Sequence, residues 1–299
     1  MRKILAFTLA CAFALLPSAA FAQANGKSYV IKEGASLWTL KGSAMTWVAS
    51  LGLGQELTSV SKNTTKGSYK GNDFDLLKVK TDTGDDGYVI ESQVARDVRS
   101  LAAVTGSIAT LFSQPNDRGI TDTIVQRASV VAVSDVPGSS EYFKVSGYDV
   151  ARGSYVTNKF ILVSDVSVLD RDVGVALLLS SLKDHKKKAL KEKTLQIINQ
   201  KYPGSAFSQI IGEIKSAFEP GTIQTEAFAT ALTATDTVNV RDVPSVYGVA
   251  LVAVKKGEKV TAVEKTIAEF TIGSDTGRWV KISAPQEGWV FDAWFVKGE

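Results

Sequence analysis

One histidine, His185, is the only imidazole in 299 residues, and it lies within Lys183-Asp184-His185-Lys186-Lys187-Lys188. A serine nucleophile would have to be built around this one imidazole in a run of lysines, and none is expected. Two Asp-Thr-Gly triplets, Asp82-Thr83-Gly84 and Asp275-Thr276-Gly277, carry carboxylates of the kind that can share a proton when two of them meet. Thr81 and Ser274 precede them where such a site needs apolar residues, and the triplets occupy different points of their surroundings, so both read as turns. Asp82, Asp86 and Gly87 match positions one, five and six of a calcium loop, but Gly84 and Gln93 stand where the third ligand and the bidentate acid belong. A single cysteine, Cys11, and a single histidine leave no thiolate or imidazole set for zinc. The expectation is a protein that is not an enzyme, with no catalytic residue, no metal site and no cofactor.

The elements that would position any site begin after a leader. Arg2 and Lys3, an apolar run from Ile4 to Leu16 and an Ala20-Phe21-Ala22 ending predict a secretory signal peptide over residues 1–22, cleaved after Ala22. The run is too short for the roughly 20 apolar residues that span a bilayer, so no transmembrane segment is expected once the leader is gone. Cys11 leaves with it, and the mature chain needs no disulfide. Removing Arg2 and Lys3 lowers the net charge from +3 to +1. A near-neutral chain gains little from counterion release, which argues against nucleic acid as a partner. A periplasmic or secreted location follows from the leader.

A motif recurs along the mature chain. Gly54-Gln55-Glu56-Leu57-Thr58-Ser59-Val60 is followed by Gly87-Tyr88-Val89, and Gly257-Glu258-Lys259-Val260-Thr261-Ala262-Val263 by Gly288-Trp289-Val290, at glycine intervals of 33 and 31. Repetition of this length marks a duplicated small unit. Short β runs separated by Gly, Asn, Asp and Ser turns place one unit at 27–97, and a weaker copy at 103–169 keeps the interval between Arg127 and Lys159 without the glycines. Helical spacing over 172–219, broken at Tyr202-Pro203-Gly204 with Ser205 as a natural cap, predicts a hairpin of two helices. A last β unit occupies 232–298. Seven lysines make the predicted helix from Lys183 to Lys201 a candidate for weak contact with an anionic surface, against the plainer reading of a solvated face.

In the last unit Val238-Asn239-Val240-Arg241, Pro244, Lys256-Gly257, Trp279-Val280-Lys281-Ile282 and Gly288-Trp289-Val290 resemble the bacterial Src-homology-3-like module, SH3b. The resemblance implies small five- to six-stranded barrels, and a fold class that is mainly β: three SH3-like β-barrels with an inserted α-helical hairpin. It further implies binding of cell-wall peptidoglycan or an envelope protein. Trp279, Trp289, Trp294 and Tyr247 are the candidate ligand-binding residues, because rigid aromatic faces suit sugar rings and extended peptides. The rival reading is a structural scaffold of the cell envelope with no open groove.

Overall fold

The computed structural model describes residues 27–149, 153–219 and 221–297. The leader, Cys11 and the cleavage point lie outside these residues. Strands β1 (Lys27–Val30), β2 (Ala35–Lys41), β3 (Ala44–Leu51), β4 (Glu56–Tyr69), β5 (Asn72–Thr81), β6 (Asp86–Ile90) and β7 (Val94–Val98) form a sheet in the order β3-β2-β6-β5-β4-β1-β7. A parallel bridge between Ala44 and Ser68 joins β3 to β4, so this sheet curls back on itself. The second sheet holds β8 (Ser100–Val104), β9 (Ile108–Phe112), β10 (Ile120–Gln126), β11 (Val130–Val136), β12 (Ser139–Asp149), β13 (Ser154–Leu162) and β14 (Val166–Ser167). The third holds β15 (Thr225–Ala234), β16 (Val238–Arg241), β17 (Ala250–Val254) and β18 (Lys259–Thr266), then, after a small hairpin of β19 (Phe270–Ile272) and β20 (Asp275–Gly277), β21 (Trp279–Ile282), β22 (Gly288–Phe291) and β23 (Phe295–Lys297). Counted within each sheet, the strand order is the same three times: third, second, sixth, fifth, fourth, first, seventh.

Backbone hydrogen bonds repeat with the order. A single 3-10 turn precedes the seventh strand of each sheet, and its last carbonyl accepts from the residue after the first strand: Ile31 N to Gln93 O at 3.0 Å, Thr105 N to Asp165 O at 2.9 Å, Thr235 N to Trp294 O at 3.0 Å. The turn before each fourth strand is closed by Gly54 N to Val30 O at 2.8 Å, Ala128 N to Val104 O at 2.9 Å and Gly257 N to Ala234 O at 2.8 Å. Those three residues share positive φ values of 76°, 63° and 84°. Glycine takes that conformation without strain, whereas Ala128 carries a Cβ into it. The counterpart of Gly257 is therefore Ala128, one residue beyond Arg127, where the spacing had put it. Gly87 and Gly288 do equivalent work at the start of the sixth strand: a Cβ there would come within 2.9 Å of Trp38 O and 2.8 Å of Arg241 O.

The helical segment differs from the expected hairpin. Among the described residues it forms three helices, α1 (Asp170–Asp184), α2 (Lys188–Lys201) and α3 (Ser208–Phe218). The unforeseen break falls at His185, whose backbone is extended, and no Pro or Gly marks it. Lys191, 0% exposed, reaches back from the first turn of α2 and donates from Nζ to Leu182 O at 2.5 Å, satisfying a carbonyl that the end of α1 leaves open. The Lys183–Lys201 segment is thus the end of α1, a link and α2, and one of its lysines faces inward, away from any anionic surface. Gly174 lets α1 and α2 close together, since a Cβ there would lie 2.7 Å from the Tyr202 ring.

Each sheet encloses its own apolar cluster, but the largest cluster belongs to none of them alone. Tyr29 from the first sheet, Leu101 and Ala132 from the second, Leu179 and Ile198 from α1 and α2, Phe207 from the α2–α3 turn, and Tyr247 from the third sheet's β16–β17 connection meet in it. Burying a side chain such as Phe207 stabilises by about 1.5–3 kcal/mol, which makes this shared core a major stabilising element of the assembly. Asp172, 3% exposed, fastens it: its carboxylate accepts from Ser167 Oγ at 2.6 Å, Ser205 Oγ at 2.9 Å and Ala206 N at 2.9 Å. Burial pushes its pKa up, but these hydrogen bonds and nearby Arg171 outweigh that and hold it below the usual carboxylate value. Ser205, expected as a cap, makes its bond to Asp172 and accepts from Phe207 N at 3.2 Å.

Candidate functional site

The shared core leaves a cleft of about 530 Å³ open between the first sheet, the second sheet, α1 and the β16–β17 connection. This lies within the range of about 300–1,000 Å³ usual for ligand sites. Its floor is apolar, with Leu53, Val131 and Val156 contributing. The rim is charged: Glu33 from the β1–β2 turn, Asp149 from the end of β12, and Lys183 and Asp184 from the end of α1. The hydroxyl of Ser180, one turn before Lys183, donates to the Glu33 carboxylate and fixes it in place. Crowding by the surrounding chain lowers the pKa of Lys183, with Glu33 and Asp184 pulling it back up. The Lys183 side chain is exposed to solvent.

Aromatic rings wall the cleft. Tyr148 lines it and packs edge-on against Tyr155 at 5.0 Å, with the Lys32 ammonium 4.6 Å from the Tyr148 ring centre. Across the opening, the Lys183 ammonium lies 5.6 Å from the ring of Tyr247, whose hydroxyl burial pushes its pKa up to about 12. Carboxylates and an ammonium on one rim, above an apolar floor, suit a ligand carrying both an amine and a carboxylate, such as a peptide end. Ser180 stands near the C-terminal end of α1, where the carbonyl end of the helix dipole opposes an alkoxide, so this serine is poorly placed as a nucleophile.

The four aromatic candidates are not brought together. Tyr247 lines this cleft. Trp289 lines a smaller cavity of about 270 Å³, with Phe218, Asp242, Pro244 and Lys188 around it, between the helices and the third sheet. Trp279 is 2% exposed and packs on Phe291 at 5.6 Å, so it offers no face to a ligand in this conformation. Trp294 is half-buried, stacks edge-on against Phe291 at 5.2 Å and donates from Nε1 to Asp275 Oδ2 at 3.0 Å. That bond engages Asp275, and Asp82 accepts from Gln55 Nε2 at 3.0 Å, so the two Asp-Thr-Gly triplets serve local structure in different sheets. The second triplet forms β20 where a turn was expected. Sequence reasoning missed Glu33, Ser180, Lys183 and Tyr148 as site residues; the Ser180–Lys183 spacing of three on a helix was the one available signal that two of them share a face.

No protein-family model matches the chain, and no curated protein matches it in sequence. Among solved structures, Ly7917 is similar over 66% of this chain and 68% of its own, at 13% identity and a TM-score of 0.26. Ly7917 was also solved with the hydrolyzing product of MDP, a peptidoglycan fragment, and that structure is similar at 13% identity and a TM-score of 0.25. An NlpC/P60 endopeptidase from Photobacterium damselae subsp. piscicida is similar over 91% of this chain and 66% of its own, at 11% identity and a TM-score of 0.24. The chain spans about two-thirds of the length of each. Scores this low carry no reaction over to this chain. The expectation of a non-enzymatic binder, together with its scaffold alternative, is contradicted to this extent: the solved structures it meets are an endopeptidase and a protein solved with a hydrolysis product.

Proposed function

We propose that the chain is an exported cell-wall protein that takes part in peptidoglycan turnover, and that its inter-sheet cleft is the seat of the wall peptide. The observation that carries the proposal is the cleft itself, about 530 Å³ with Glu33, Asp184 and Lys183 on one rim and Tyr148 and Tyr247 as walls. Wall peptides present amines and carboxylates on a short backbone, and a rim of both signs holds such a ligand in one orientation. The SH3b-like motifs of the last unit and the threefold strand order support reading the sheets as three SH3-like modules set around this cleft. The leader sequence supports export.

The test is to incubate the mature protein with purified peptidoglycan, sediment the polymer, and chromatograph the supernatant for released fragments. Wild type is expected to sediment with the polymer, and Glu33→Gln with Lys183→Met to reduce retention about ten-fold, the effect of losing two charge-assisted contacts of modest strength. Soluble fragments in the supernatant would assign hydrolysis to the chain itself. Absence of both retention and release would refute the reading.

A further inference from the structure

Helix α2 turns two different sides to its surroundings. Lys191, Thr194, Leu195 and Ile198 are buried, and the bond from Lys191 to Leu182 O keeps that side turned inward. Toward solvent, Leu190, Lys193, Ile197 and Lys201 follow one another at three- and four-residue steps, which on a helix sets them in one stripe. All four are exposed, Leu190 at 45% and Ile197 at 38%. Lys186 and Lys187 of the α1–α2 link, also exposed, stand just ahead of the helix and extend the positive charge.

This charge is not neutralised from within. Among the described residues Lys186, Lys187, Lys193 and Lys201 make no ion pair. Glu192, the only acidic residue of α2, lies about 200° round the helix from Leu190 and reaches Lys188 at 4.0 Å instead. Exposed apolar residues scattered singly are ordinary on a protein surface. Leu190 and Ile197 are not scattered: they alternate with lysines along one stripe, the composition of a helix face that rests on a negatively charged bilayer.

We infer that the solvent stripe of α2 is a docking surface for an anionic phospholipid bilayer. Lys186, Lys187, Lys193 and Lys201 would meet the phosphate-bearing headgroups, and Leu190 and Ile197 would enter the boundary between headgroups and acyl chains. Charge complementarity selects this occupant: the stripe offers ammonium groups without a carboxylate, and a fluid layer of negative headgroups matches their spacing without a preformed pocket. Among the described residues no helix is long and apolar enough to cross a membrane, so the contact proposed is with the surface alone. The inference goes beyond the cleft reading and uses neither the rim nor the walls of the cleft.

Sedimentation of the mature protein with sucrose-loaded vesicles tests it, comparing equal parts phosphatidylglycerol and phosphatidylcholine with phosphatidylcholine alone. Expected is binding to the anionic vesicles only, lost at about 0.5 M salt where the headgroup charge is screened. A lysine at such a surface contributes about five-fold to partitioning, so Lys193→Gln combined with Lys201→Gln should bind about 25-fold more weakly. Leu190→Ser combined with Ile197→Ser should bind the vesicles at least about three-fold more weakly and soluble polyphosphate as well as wild type does, because only a bilayer has an acyl boundary to enter. All four positions are exposed, so both variants should melt with wild type, and circular dichroism verifies that. Equal binding to the two vesicle types, unchanged binding of the lysine variant, or unchanged binding of the apolar variant would each overturn the inference. The cleft reading is tested on peptidoglycan and this one on vesicles free of it, so the two can fail separately.

Discussion

Replacing Asp172 tests whether the helices are fastened to the sheets as described. Its carboxylate takes three hydrogen bonds, one from β14 through Ser167 and two from the α2–α3 turn through Ser205 and Ala206, and it occupies the first turn of α1, where the helix dipole favours negative charge. Asp172→Ala removes the acceptor and leaves the proton of the buried Ser205 hydroxyl and the Ala206 amide without an acceptor. At about 1–3 kcal/mol for each stranded group, partly relieved by water, the expected loss is about 4 kcal/mol. Asp172→Asn keeps one acceptor oxygen without the charge and should lose about 2 kcal/mol. Urea titration followed by the helical circular-dichroism signal reads both. The pH dependence is a second check. Because the folded pKa is depressed, the carboxylate's contribution is full above the unfolded value of about 3.9 and disappears as pH falls through the lower folded value. The gap between wild type and Asp172→Asn should therefore be constant from neutral pH down to about 5 and close below about 4. An alanine variant within about 1 kcal/mol of wild type, or a gap indifferent to acid, would refute the argument.

Gly54→Ala should cost about 2 kcal/mol or more in the same titration, because a Cβ would meet Leu177 Cδ2 at 2.7 Å and a residue with φ of 76° would carry strain as well. Trp279→Ala should lose about 3–5 kcal/mol as a core truncation, and melting temperature will show it. Alkaline spectrophotometric titration should find late-titrating tyrosines among the eight: Tyr142, pushed up to about 12 by its hydrogen bond to Asp117, and Tyr247, pushed there by burial. Tyr247→Phe should remove one of these late steps. Since a raised phenol pKa favours the folded state only while the proton is held, stability from Tyr247 should be lost as pH climbs from about 10 toward about 12.

Where glycine is sterically compulsory, the repeat could be read from sequence. Gly54, Gly257, Gly87 and Gly288 each sit where a Cβ would be strained or would meet a backbone carbonyl or a packed side chain, so the first and third copies announce themselves. In the second copy Ala128 accepts the left-handed conformation and Lys159 follows the same strand path, and without those markers the alignment slipped by one residue. The break between α1 and α2 was hidden for a related reason: the stop comes from Lys191 reaching back to Leu182 O, a tertiary contact that leaves no local signature in a run of lysines. The site was less legible than the fold. Glu33, Tyr148 and Lys183 come from three distant segments, and only the packing of the sheets against α1 places them on one cleft.

The apolar cluster common to all three sheets and the helices has a consequence for how the molecule can be handled and how it can change. An isolated repeat would carry to its surface the very residues that now face its sisters, Tyr29 in one case, Leu101 and Ala132 in another, Tyr247 in the third. Fragments cut at the sheet boundaries should therefore be sticky and poorly behaved, while a chain nicked in the short link at 185–187 should hold together as two pieces that co-purify. Loss of one copy would strip a wall from the other two, so the number of repeats is pinned by the grease they share.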